Sequence, residues 1–105
     1  MNGLINDFVV ENNRLKEYRG CSEEIIIPDG VTVIGTDAFR NNKAIRSVVM
    51  PQGLKRIEEN AFRDCSNLHA VRIPRSVISL GFSAFQGCPE LNDIEFFAEY
   101  EEEPF

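Results

Sequence analysis

Four side chains in this sequence are of types that carry nucleophilic, redox or metal chemistry: Cys21, Cys65, Cys88 and the single histidine, His69. A thiol touching an imidazole can act as a nucleophile with its base. Two adjacent thiols can form a disulfide. Four Cys or His ligands, or three with a carboxylate, can hold zinc. The spacing favours none of these. Three cysteines cannot close a disulfide framework, and no C-x-x-C pair occurs. Free buried thiols are the simpler expectation, as in a reducing compartment. The glycines at 30, 35, 53, 81 and 87 do not make a phosphate loop. The acid pairs Glu58-Glu59 and Glu101-Glu102-Glu103 read as solvated surface or tail. No enzyme, no metal and no cofactor are expected. What remains is to find the elements that carry these residues.

Those elements repeat. Pro28, Pro51 and Pro74 are 23 residues apart, and Ala38-Phe39, Ala61-Phe62 and Ala84-Phe85 keep the same step. Aliphatic residues follow in phase: Val31, Leu54, Val77; Ile34, Ile57, Leu80; Ile45, Leu68, Leu91; Val48, Val71, Ile94; Met50, Ile73, Phe96. Such columns, held without an insertion, mark a repeat architecture.

Within a repeat, Val48 and Met50 alternate with Ser47 and Val49, the period of a strand. The proline that follows cannot donate to a sheet ladder and ends it. Turns come next at Asp29-Gly30, Gln52-Gly53 and Arg75-Ser76, then short extended pieces at Val31 to Ile34, Leu54 to Ile57 and Val77 to Leu80. The six residues from Thr36 to Asn41 are too few for a full helix, so one α or 3₁₀ turn is expected there. A unit this small cannot bury its own apolar face, and stacking in a right-handed coil covers it. Parallel strands, one per repeat, are expected near residues 47 to 50, 70 to 73 and 93 to 96, roughly 4.8 Å apart. Phe39, Phe62 and Phe85 should form a buried ladder. Cys65 and Cys88 share a column with Asn42, a small buried loop position, whereas His69 falls on the outer sheet face. Thiol and imidazole should not meet.

These residues resemble the BspA-like leucine-rich repeats, also called the Treponema pallidum type. That pattern reads roughly C-x-x-L-x-x-I-x-(I/L)-P-x-x-(V/L)-x-x-I-(G)-x-x-A-F. It is matched from Cys65 through Leu68, Val71, Ile73, Pro74, Val77, Leu80 and Gly81 to Ala84-Phe85. The resemblance covers about residues 24 to 96. It implies a leucine-rich repeat solenoid, mostly β, and a binding scaffold rather than a catalyst. Members often serve in bacterial surface adhesion and host-protein contact. Upstream, Phe8-Val9-Val10 and Leu15 to Tyr18 flank Glu11-Asn12-Asn13-Arg14, a hairpin signal that suits an N-terminal cap. The expected organisation is one domain: cap at 1–24, repeats at 25–96 and an acidic tail at 97–105. Position 97 should be proline and is Phe97.

The binding surface follows from the alternation, because residues between inward positions point outward. Three columns qualify: Arg46, His69, Asn92; Ser47, Ala70, Asp93; and Val49, Arg72, Glu95, the last preceded by Ile26. They grade from apolar and basic to acidic, and the expected partner is a protein. The alternatives are a self-associating module, joined edge to edge or end to end through Ile94-Glu95-Phe96-Phe97, and a fragment of a larger protein.

Charge excludes other partners. The chain has 17 acids and 11 bases, but seven acids and no base lie in residues 90 to 105, so the rest is nearly balanced. Nucleic-acid phosphates need clustered Lys and Arg, so no nucleic-acid partner is expected. No run nears the roughly 18 to 20 apolar residues of a membrane helix, so no membrane insertion is expected. Met1 to Asp7 lacks a basic segment and an apolar core, so no signal peptide is expected here. As it stands the chain reads as cytoplasmic, although the resemblance is to proteins often found at the cell surface.

Overall fold

A 23-residue unit with two short extended stretches can satisfy its backbone only against the next unit. The computed structural model, which describes residues 7–98, shows how. Its elements are β1 (Phe8–Glu11), β2 (Arg14–Tyr18), β3 (Glu24–Ile26), β4 (Val33–Ile34), β5 (Ser47–Val49), β6 (Arg56–Ile57), β7 (Ala70–Pro74), β8 (Ser79–Leu80) and β9 (Asp93–Phe97). They form two sheets, ordered β1-β2-β4-β6-β8 and β3-β5-β7-β9. The second sheet is parallel throughout and keeps the 23-residue step: Glu24 pairs with Ser47, Ser47 with Ala70, Ala70 with Asp93. This is the expected solenoid, with four rungs in that sheet.

Two expectations change. Each repeat contributes two paired strands rather than one, because the short pieces at Val33–Ile34, Arg56–Ile57 and Ser79–Leu80 also pair in parallel. The expected helical turn is absent, and among the described residues there is no helix. The hydrogen bonds give the reason. To continue a helical turn, the Phe39 N–H would have to bond within its own coil, four residues back to Gly35 for an α turn or three back to Thr36 for a 3₁₀ one. Instead the Ala38 N–H donates to the Gly35 carbonyl (3.1 Å), and the Phe39 N–H donates to Ala61 in the next coil (2.7 Å). The Phe62 N–H reaches Ala84 in the same way (2.8 Å). The bend is thus a third line of coil-to-coil pairing. It needs left-handed backbone at two places per repeat. Asp37, Asn60 and Ser83 fill one (φ 61 to 62°), and Asn41, Asp64 and Gly87 the other. Short polar side chains and glycine tolerate that region best.

The hairpin forms as expected. β1 and β2 pair antiparallel about Asn12 and Asn13, both at positive φ, and β2 then runs parallel to β4. Its aromatic side chains extend the expected ladder. Phe39 and Phe62 stack at 4.7 Å with rings 7° apart, and Phe62 and Phe85 at 5.3 Å. Tyr18 lies 5.3 Å from Phe39, and Phe8 4.9 Å from Tyr18. The inward aliphatic columns complete the core around Ile34, Val48, Leu54, Ile57 and Leu68, all fully buried. Phe97, expected to open the tail, is the last residue of β9. The acidic stretch from Glu99 onward lies outside the described residues.

Candidate functional site

Alternation within β5, β7 and β9 fixes which side chains leave the sheet. Val48 and Val71 point into the core, so Val49, Arg72 and Glu95 face out as one ladder with Ile26 at its head. Ile26 is 73% exposed and Val49 41%. They border an open groove of about 370 Å³ that Pro51 and Phe97 also line, with Asp29 and Gln52 beside it. Phe97 was not among the expected site residues. Its signal was there, as the position where the proline column breaks.

At the other end of the ladder, charges gather. The Arg72 guanidinium contacts Glu95 at 2.8 Å and Asp93 at 3.2 Å, so three of the expected residues form one ionic cluster. Both acids belong to β9, the strand that pairs with Arg72's own. Arg46, His69 and Asn92 lie just before their strands and are exposed. They are linked through the main chain: the His69 N–H donates to the Arg46 carbonyl (2.8 Å), and the Asn92 N–H to that of His69 (3.2 Å). Ser47 is half-buried. Ala70 departs from expectation, being only 8% exposed. A methyl group is too short to rise between the strands flanking it, so the middle of that column offers almost no contact area.

The thiols behave as structure. Cys65 is buried and donates its Sγ hydrogen to the Phe39 carbonyl at 3.1 Å. Cys88 does the same to Phe62 at 3.1 Å. Burial pushes the Cys65 thiol up to about 12 and that of Cys88 upward, so both stay protonated near neutral pH. His69 is exposed, away from the buried Cys65. Among the described residues no group of three His, Cys, Asp or Glu is placed to hold a metal ion, and no helix is long and apolar enough to cross a membrane. Glu58, expected as solvated surface, is instead half-buried. It accepts a two-pronged hydrogen bond from Arg14 and others from the N–H and hydroxyl of Thr36.

Comparison with known proteins agrees with the repeat. The family model described as the BspA type leucine rich repeat region matches residues 12–102, in six copies. Among solved structures, the chain is similar to a leucine rich cell surface protein from Faecalibacterium prausnitzii A2-165, determined at 1.80 Å resolution. The two share 24% identity over 79% of this chain and 35% of that one, with a TM-score of 0.43. The chain therefore spans about a third of that protein's length. No curated protein matches it. The match to the family model runs through the hairpin turn, every described repeat and β9, and on that ground the chain belongs to the BspA type leucine rich repeat family.

Proposed function

We propose that this chain is a non-catalytic protein-binding module that receives its partner along the outer face of the β3-β5-β7-β9 sheet. The observation that carries this is the pairing of Ile26 and Val49. They are neighbouring apolar side chains on a solvent face, beside a groove that ends on Phe97. Protein interfaces favour an apolar centre with a polar rim. Asp29 and the Arg72 cluster supply such a rim here. Fixed charges at one end of a regular strip also set the direction in which a partner lies. A role at a bacterial surface or in host-protein contact is the finer reading, supported by what such repeats often do.

The test is a partner captured with the parent protein, identified and then titrated. Replacing Ile26 and Val49 together with Asp should weaken binding at least about tenfold. Lys16→Gln, on the distant hairpin, should leave it unchanged. Equal affinity for the parent and the double variant, with unchanged circular dichroism, would remove this face from consideration.

A further inference from the structure

The apolar pair of the outer face is set in charge of one sign. On the rung that carries β3, the exposed side chains run Glu23, Glu24, Ile26 and, past Pro28, Asp29. Three of these four are acids and none is a base. Among the described residues none of the three acids is in an ion pair. At the far end Arg72 is held between Asp93 and Glu95, so that cluster is negative as well. Arg46 and Arg75 are the other bases of this face, one on each of the next two rungs. Five acids thus meet three bases, and the surplus lies beside Ile26.

The groove lies in the same place. It encloses about 370 Å³ bordered by Ile26, Val49, Pro51 and Phe97, with Asp29 beside them. Glu24 stands on the other side of Ile26 along the strand. Val49 has a strand on each side and is still 41% exposed, so the outward direction of the pair is what leaves it in solvent. A coil stacked on either end would not cover it.

We infer that the partner of this face is a basic, extended segment of another protein. It seats one apolar side chain against Ile26, Val49 and Phe97 and sets a base on either side, over Glu24 and Asp29. This rests on the binding face proposed above and adds the chemistry of what that face takes. Charge complementarity gives the sign, because an acidic segment would meet the surplus of like charge. The spacing gives the pattern. Glu24 and Asp29 are five residues apart, at most about 18 Å along the backbone. In an extended segment alternate side chains point the same way, so base, apolar residue and base at every other position span about 13 Å. The long stems of lysine and arginine reach the remainder. Among the described residues no three acids are placed to hold a metal ion, so these carboxylates suit separate cationic side chains.

The test is fluorescence anisotropy of the full 105-residue chain with three labelled synthetic peptides. Their cores are Lys-Thr-Leu-Thr-Lys, Glu-Thr-Leu-Thr-Glu and Lys-Thr-Ser-Thr-Lys. The first should bind at least about tenfold more tightly than either of the others. A Glu24→Gln, Asp29→Asn double variant should weaken it about five- to thirtyfold, as for two exposed ion pairs. Both carboxylates are exposed and unpaired, so the urea midpoint of this variant should match the parent's. Raising salt from about 50 to about 300 mM should weaken the parent complex more than that of the variant. An Ile26→Ser, Val49→Ser variant removes the apolar contact without adding charge and should also lose binding. Failure of the first peptide to bind, equal binding of the acidic peptide, or a complex indifferent to the Glu24→Gln, Asp29→Asn change would each overturn the inference. If the serine variant alone loses binding, the face stands and only the basic partner falls. If neither variant weakens a complex that does form, the face falls too.

Discussion

Arg14 and Glu58, 44 positions apart in sequence, are joined by a two-pronged ion pair that crosses the coil between them. The path is open because residue 35 is glycine. A Cβ there would lie 3.4 Å from the guanidinium and 2.8 Å from the Leu15 carbonyl. The hairpin is therefore fastened to the coil beyond its immediate neighbour. The Arg14 hydrogen bonds hold the Glu58 carboxyl below its ordinary 4.5, against the opposing effect of burial.

Glu58→Gln should lower stability by about 1 kcal/mol at neutral pH, as for a half-buried charge-assisted pair. The pH dependence has a definite sign. A carboxyl lowered in the folded state contributes stability above its unfolded value, and that stability is lost as pH falls through the folded one. Urea unfolding from neutral pH to below 4.5 should show the parent losing the advantage it holds over the variant. A constant difference across that range would contradict the assignment.

Phe62→Ala should destabilise by about 3 to 5 kcal/mol, since its ring is fully buried between two others. Phe85→Ala should cost less, because Phe85 ends the ladder and is half-buried. Denaturant midpoints of the two variants check the order, and equal losses would argue against the ladder.

The cysteines should separate by reactivity. A maleimide at neutral pH should label the exposed Cys21 within minutes and leave Cys65 untouched until the protein unfolds, because its thiol is pushed up to about 12. Mass spectrometry of timed digests reads both. Fast labelling of Cys65 in the native protein would show that its loop opens.

Gly81→Ala should cost about 1 to 3 kcal/mol, the range for overpacking. The added methyl would sit 2.3 Å from the Glu59 backbone nitrogen, and a backbone atom cannot swing away. Thermal melts decide it, and a neutral outcome would mean that the two coils can part at that point.

The columns of Pro51, Phe62 and Val71 were legible because a period of 23 repeats every inward contact and so writes it several times. What a single repeat states only once, or in two residues, was harder to see. Val33–Ile34 is too short for alternation to register, so the sheet it forms with β2 and β6 escaped notice. Asp37 and Asn41 look like ordinary polar turn residues until their backbone geometry is known. Arg14 and Glu58 share no column, and nothing local links them. Ala70 had the parity of an outward residue, but parity says nothing about whether a side chain is long enough to emerge.

The three lines of backbone pairing, at the two sheets and at the bend, all advance by the same step. Length can therefore change in this architecture by whole coils while the backbone on either side stays in register, although a contact that skips a coil, such as Arg14–Glu58, is lost with the coil that holds it. Excising residues 48 to 70 would bring Ser47 against Val71 in the chain and leave every remaining column in phase. Removing one residue instead would shift all three lines at once and turn the buried valines outward. The quantum of tolerated change is the coil, and such a module can be lengthened or shortened by duplication while its outer face keeps its spacing.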